Sequence, residues 1–350
     1  MATAQPQATW LERKHDFGVI LEENGKARCA IPLVNTGDEP LLIVKAQAGC
    51  GCTGISYPET PIQPGDTALV NISYNPSGRP GEFSKEVIIH TNTIPRRTTL
   101  EIVGNVIPTA ETLDKQYPLS AGALRISQQY IPFGELVKGT NKVQYLSAYN
   151  ASTDTLIVSV TGTKPHLHPA MVPDTLPPAR VTALTVHYLS AHAPLWGINT
   201  DTLTLSCKGL HEDAHGLSGT ATVQVIAQVL ENFDHLTGKE LENAPISAVD
   251  CGDRIDFGTM RRGETVTRKF IVTNRGKSPL AIRRLWVPDG EGITVSADRT
   301  MVKRGKQATI TVTVNTGLIE DEILNTQLTL MCNDPDSPRQ LIRLVGIIDN

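Results

Sequence analysis

The sequence predicts an all-β chain built as three tandem β-sandwich domains, and three observations carry that expectation. First, one phrase recurs at long intervals. Phe17-Gly18 leads to Val34-Asn35-Thr36-Gly37 and Pro40-Leu41-Leu42-Ile43, and Phe257-Gly258 leads to Val272-Thr273-Asn274-Arg275-Gly276 and Pro279-Leu280-Ala281-Ile282. Between them, Phe133-Gly134, Tyr149-Asn150-Ala151-Ser152 and Leu156-Ile157-Val158 form a blurred copy. The period exceeds the roughly 20–50 residues of a solenoid repeat, so whole domains are repeated. Second, aromatic residues are only 5% of the chain, which leaves the cores to Val, Ile, Leu and Thr, residues that suit strands. Third, 28 glycines and 23 prolines are spread along the whole length, as many turns require.

The elements follow in order. In the first copy, Cys29-Ala30-Ile31-Pro32-Leu33-Val34 runs into the turn Asn35-Thr36-Gly37-Asp38. Pro64-Gly65-Asp66 opens the run Thr67 to Tyr74, in which Ala68, Val70 and Ile72 share one face, the period of a half-buried strand. Glu86 to His90 and Thr99 to Gly104 close the copy. The third copy repeats this with Arg304-Gly305-Lys306, the alternating Thr309 to Val314, Leu328 to Pro335 and Leu341 to Gly346. Many short strands between regular turns read as sandwiches. The second copy is expected to lack the Asn-x-Gly turn and to carry two insertions, a Pro/His-rich stretch at 164–180 and a loop at 211–219. The boundaries are 10–107, 124–230 and 254–350, with 1–9 a flexible N-terminus. The polar linkers between them show no convincing helical periodicity.

Composition excludes several classes of function. A net charge of −4, a pI near 6.1 and no basic-aromatic cluster argue against nucleic acid. No run approaches the roughly 20 apolar residues of a spanning helix. Ala2-Thr3-Ala4 has the small-x-small form of a signal-peptidase site, with Gln5 first in the mature chain, so export is expected. Arg275-Gly276-Lys277-Ser278 fails as a phosphate loop, because Ile271 stands where the first glycine belongs. No hydrolase, metalloprotease or dinucleotide fingerprint is present, so the chain is expected to be non-enzymatic and to use no cofactor.

The Phe-Gly, Asn-x-Gly, Pro-Leu-x-Ile, Pro-Gly and Asn-Asp-Pro landmarks resemble the hydin/ASPM-type immunoglobulin-like superfamily, relatives of major sperm protein. The resemblance is good over the first and third copies and weak over the second. In the first copy, Ala48-Gly49-Cys50-Gly51-Cys52-Thr53 resembles a bacterial domain-of-unknown-function family, common in Bacteroidota, marked by Cys-Gly-Cys-Thr. The resemblance implies three immunoglobulin-like sandwiches in an elongated arrangement, an exported module with an interaction or scaffold role, and no catalytic activity to carry over.

The cysteines are the best candidates for chemistry. Cys50 and Cys52 fit core packing, a disulfide closed over the flexible Gly51, a redox pair or a soft metal site, although no Cys or His follows within thirty residues to complete a zinc site. Among the other four, Cys207 and Cys332 end equivalent strands, and Cys251 is placed to reach Cys332. His166 and His168 fall on one side of an extended segment, with His187, His192, His211 and His215 in the same copy, a weak metal candidate. Asp-Thr followed by a small or aliphatic residue recurs at Thr67, Thr155, Thr175 and Thr202. This pattern resembles the O-glycosylation acceptor of Bacteroidota envelope proteins; it also suits turns that open strands.

The expected function is that of a cell-envelope scaffold or adaptor, an accessory subunit of an outer-membrane or periplasmic complex. Protein partners would dock on sandwich edges and loops, with the second copy as a specialised docking face. No nucleic acid or small-molecule ligand is expected. The competing functions are a periplasmic chaperone acting by strand addition and a thiol or metal carrier using Cys50 and Cys52.

Overall fold

The computed structural model describes residues 5–211, 216–288 and 290–349. In the first domain β1 (Ala8–Trp10), β3 (Ala27–Asn35), β6 (Thr67–Tyr74) and β5 (Thr53–Ser56) form one sheet in that order. The facing sheet is ordered β2 (Lys14–Leu21), β8 (Arg97–Ile107), β7 (Gly81–Thr91) and β4 (Ile43–Ala48). In the second domain the sheets run β14 (Leu167–Val172), β16 (Val181–Leu189), β12 (Asn141–Asn150), β10 (Leu124–Ile126), β9 (Leu119–Ala121), and β11 (Tyr130–Val137), β18 (Gly219–Leu230), β17 (Gly197–Gly209), β13 (Leu156–Thr161), β15 (Thr175–Leu176). In the third they run β19 (Ser247–Val249), β21 (Thr265–Asn274), β25 (Gln307–Asn315), β23 (Ile293–Ala297), and β20 (Arg254–Arg261), β27 (Arg339–Asp349), β26 (Ile323–Cys332), β22 (Leu280–Trp286), with β24 (Met301–Val302) at the edge.

Each pair of sheets encloses its own core. Ile31, Val70, Val87 and Ile102 are sealed in the first; Leu184, Val186, Leu205 and Val225 in the second; Val272, Ile310, Leu330 and Leu344 in the third. Strict alternation produces this, as in Thr67–Tyr74, where every second side chain turns inward. The recurring Phe-Gly is a bulge. The first long strand of each domain pairs in parallel with the last, and its register slips at Gly18, Gly134 and Gly258, whose φ values are 64, 67 and 70°. That conformation favours glycine and kinks the edge strand.

The recurring asparagine is a buried knot. Asn35, Asn150 and Asn274 have no exposed surface. Their amides donate to the carbonyls of Glu39 and Ile62, of Asp154 and Leu176, and of Ser278 and Val302, at 2.8 and 2.9 Å in each domain. Their carbonyl oxygens accept from the backbones of Gly37, Ser152 and Gly276 at 3.1, 2.9 and 3.0 Å. The second copy therefore keeps the turn that its sequence is read as having dropped, because the asparagine makes the bonds and the residue two places on needs only its N–H.

Three further expectations are corrected. The stretch 164–180 is not an insertion. Its β14 pairs with β16 as β5 pairs with β6 and β23 with β25, and its β15 pairs with β13 as β24 pairs with β22. Ala179, at φ 55°, stands where Gly65 and Gly305 stand at 83 and 66°, which hid the correspondence. The linkers carry two short helices, α1 (Ala110–Gln116) and α2 (Gly238–Glu242). Thr109 caps the first, and Thr237 with Glu240 forms a capping box on the second; helices of seven and five residues are too short to show a period. Finally, β9 and β19 lie in stretches read as linker, so the second and third sandwiches begin near Leu119 and Ser247. Among the described residues no helix is long and apolar enough to cross a membrane.

Candidate functional site

The chemistry-bearing corner of the first domain lies between β4 and β5. The Gly49 N–H donates to the Glu86 carbonyl at 3.4 Å, the Thr53 N–H to the Cys50 carbonyl at 3.3 Å, and the Asn75 N–H to the Cys52 carbonyl at 2.8 Å. These bonds hold a tight turn in which Cys50 and Cys52 form a disulfide with Cα atoms 5.3 Å apart. Gly51 faces open space, Cys50 is half-buried, and Cys52 is 7% exposed. The hydroxyl of the buried Thr53 lies 3.5 Å from Cys50 Sγ and 3.8 Å from Cys52 Sγ. A cross-link between residues two apart restrains the unfolded chain little, about 1.5 kcal/mol by chain entropy against roughly 3 for a fifteen-residue loop. The second and third domains turn the equivalent corner, from β13 to β14 and from β22 to β23, without any cysteine.

The other four cysteines are free. The Cys251–Cys332 bridge expected from the sequence does not form. Cys332 Sγ lies 3.6 Å from Ser247 Oγ, at the start of β19, and donates to the Ser337 carbonyl at 3.4 Å. Cys251 lies four residues further along, past the end of β19, and stays free. Burial pushes both thiols up. The Cys207 thiol donates to the carbonyls of Ala121 and Leu217 at 2.8 and 3.1 Å. Burial, with the nearby Glu12, pushes Cys29 up to about 11. A thiol held up in this way is not a nucleophile at neutral pH.

The histidines separate. His166 is buried, and its Nε2 lies 2.8 Å from Asp201 Oδ2, while Lys164 Nζ reaches Asp201 Oδ1 at 2.6 Å. Burial opposes the Asp201 charge, but the bonds from Lys164 and His166 outweigh it and hold the carboxyl below its usual range. Tyr188 packs edge-on to His166 at 5.3 Å, and burial pushes its hydroxyl up to about 12. His168 is instead exposed, so the two do not share a side. His187 and His192 are exposed, His211 bonds Asp154 at 2.7 Å, and His215 lies outside the described residues. Among the described residues no three His, Cys, Asp or Glu side chains gather to hold a metal.

Thr67 and Thr175 are exposed first residues of β6 and β15, and Thr155 is half-buried just before β13. Thr202 is exposed but lies inside β17, beside the buried Asp201, so it does not open a strand.

The junctions between domains were not legible in the sequence. Glu22, after β2, accepts from Gly78 N at 2.7 Å, from Thr109 N at 2.9 Å and from Thr112 Oγ1 at 2.8 Å, tying the first domain to α1. Arg180 of the second domain pairs with Glu82 of the first. At the other junction, Arg283 grips Glu231 with bonds of 2.8 and 2.5 Å. Arg284 donates to the carbonyls of Trp196 and Ile198 at 2.9 and 2.7 Å, and burial lowers its pKa. Lys138 and Arg283 both lie over the Trp196 ring, at 4.9 and 5.0 Å. Gly197 approaches Trp286 so closely that a Cβ would come within 2.8 Å of the indole.

Most free sheet edges are guarded. β2, β4, β11 and β20 carry bulges or charges, β14 and β11 carry proline, and β1, β9, β15, β19 and β24 are two or three residues long. The five-residue β23, Ile-Thr-Val-Ser-Ala, and the four-residue β5, Thr-Gly-Ile-Ser, have neither charge, proline nor bulge.

Comparison with known proteins agrees with this architecture. Residues 8–106 match the family described as a protein of unknown function, DUF1573, and residues 248–347 match the HYDIN/CFA65/VesB-like, Ig-like domain. No curated protein matches the sequence. Among solved structures, a protein of unknown function from Porphyromonas gingivalis W83 is similar at 19% identity and TM-score 0.50, over 65% of this chain and 100% of its own. The ASH/PapD-like domain of human CEP192 aligns at 15% identity and TM-score 0.27, over 33% of this chain and 92% of its own. The YadV chaperone aligns at 11% identity and TM-score 0.25, over 63% of this chain and 100% of its own. The class is that of tandem immunoglobulin-like β-sandwich proteins. Within the chain, the first and third domains carry the family likenesses.

Proposed function

We propose that the chain is a non-enzymatic scaffold of the cell envelope, an accessory subunit of an outer-membrane or periplasmic complex of the Bacteroidota type. The observation that supports this reading most is the pair of bonded junctions. Arg283 and Arg284 on one side, and Glu22 with α1 on the other, fix the relation between neighbouring sandwiches, as a spacer between docking surfaces needs. Export is supported by the Cys50–Cys52 disulfide, since such bonds persist in oxidising compartments. Sugars at Thr67, Thr155, Thr175 and Thr202 belong to the same proposal, and intact-mass measurement of the native protein tests them.

The unguarded β23 favours a more specific mode, in which an extended segment of a partner pairs with its free edge. This is also how a strand-adding chaperone would act. Pull-down of the natively expressed protein from solubilised envelopes tests the scaffold reading. A stable membrane complex is expected, and recovery of a lone monomer would count against it. Val295→Pro and Ser296→Pro form a matched pair, because the N–H of one faces the free edge. A chaperone releases its clients, so transient binding to many unfolded subunits would favour that second reading.

A further inference from the structure

We propose that the Cys50–Cys52 disulfide is a thiol–disulfide exchange site that oxidises pairs of cysteine thiols in extended polypeptides. The fold does not need the cross-link, since the second and third domains build the same corner without it. The site is open on one side only. Cys50 is half-buried beside the unobstructed Gly51, whereas Cys52 is sealed into the core, so an incoming sulfur meets Cys50 first. The Thr53 hydroxyl, near both sulfurs, is placed to donate to the thiolate that departs from Cys52. In a sealed position a thiolate without a donor is costly, and this hydroxyl, 3.8 Å from Cys52 Sγ, supplies one, while the greater exposure of Cys50 sets which sulfur is attacked.

The approach surface suits a polypeptide. β5 follows the disulfide directly and is paired on one side only, with β6. On its paired side a groove of about 600 Å³ runs across β5, β6 and β3, lined by Arg28, Cys29, Gly54, Ile55 and Ser73, and stops short of Cys50. Gly54 keeps that groove low, because a Cβ there would meet Ser73 Oγ at 2.7 Å. An extended segment laid along β5 finds backbone partners and carries its cysteine to Cys50.

In the reaction, a substrate thiol gives its proton to solvent and its sulfur attacks Cys50 Sγ. The Cys50–Cys52 bond breaks, a mixed disulfide forms on Cys50, and the electron pair leaves on Cys52 Sγ, which takes up a proton. The second substrate thiolate then attacks the substrate sulfur of the mixed disulfide. The substrate leaves as a disulfide, and Cys50 leaves as a thiolate that is then protonated. Two electrons and two protons pass from the substrate dithiol to the protein, and a second disulfide compound restores the pair by the reverse steps.

The test uses the full chain and a reduced synthetic peptide containing Cys-Ala-Ala-Cys, with acid quenching, alkylation and mass spectrometry. The wild type is expected to oxidise the peptide at least tenfold faster than the Cys50→Ser/Cys52→Ser double variant, and Thr53→Val is expected to slow it severalfold. Cys52→Ser, given oxidised glutathione, is expected to hold the mixed disulfide on Cys50, while Cys50→Ser gains none on Cys52. Failure of the peptide to reduce the pair, or equal labelling of the two single variants, overturns the proposal. So does loss of the first domain's circular dichroism melt in the double variant, which would make the bond a structural staple.

Discussion

The side-chain amide of Asn150 donates to the carbonyl of Leu176 at 2.9 Å, in the interior of the second sandwich. The same bond joins Asn35 to Ile62 and Asn274 to Val302. One buried side chain in each domain thus ties a strand end to the turn after it and to the neighbouring bridge.

Asn274→Ala leaves the carbonyls of Ser278 and Val302 and the Gly276 N–H without their partner. At about 1 kcal/mol for each bond lost, the third domain should lose about 3 kcal/mol. Denaturant unfolding followed by the tryptophan signal measures this. A loss below about 1 kcal/mol would show that water replaces the amide.

Ala179 holds a positive φ of 55°, where the other copies use Gly65 and Gly305. Ala179→Gly should stabilise the second domain by about 0.5–1 kcal/mol, the left-handed penalty less the entropy that glycine adds to the unfolded chain. Gly65→Ala and Gly305→Ala should each destabilise, though a Cβ meets nothing within 4 Å at either site. Thermal melts that move in the same direction for all three would contradict the argument.

Asp201 has a folded pKa below the unfolded value of about 3.9. Its contribution is therefore complete above about pH 4 and is lost as the pH falls through the lower folded value. The part of the second domain's stability that comes from Asp201 should hold from pH 7 to about 5 and then decline on the acid side. Asp201→Asn should lose about 2 kcal/mol at pH 7, discounted for the half-exposed Lys164, and should flatten the acid decline. Melts from pH 3 to 7 read both effects, and an unaltered acid limb would refute the assignment.

Arg284→Ala removes the two bonds to the carbonyls of Trp196 and Ile198. The junction between the second and third domains should loosen, and limited proteolysis within 231–246 should accelerate about tenfold while each domain keeps its own melt. Equal cleavage rates would place the hold elsewhere, on Arg283 and Glu231.

Sequence periodicity and turn chemistry found most strands, because both are written over two to four neighbouring residues. They misread 164–180, where Ala179 replaced the expected glycine and the strand β14 contains Pro169. They also passed over α1 and α2, which rest on capping side chains and too few residues to show a stripe. Of the proposed site, Cys50, Cys52 and Gly51 stood out in the sequence. The role of Thr53 did not, because it depends on the turn that sets its hydroxyl against both sulfurs.

By itself the sequence determined an all-β chain of three sandwiches, with Phe-Gly landmarks recurring at matching places, since those signals are local; that each Phe-Gly is a bulge and that all three asparagines are buried knots came from the structure. Only the tertiary structure decided that Cys332 faces Ser247 instead of Cys251, that Asp201 meets His166 across 35 positions, and that Arg284 reaches across the junction to Trp196. Contacts of that kind depend on strand register and on how two sheets close over a core. A strand's own residues set its inward face but not the residue that lies opposite.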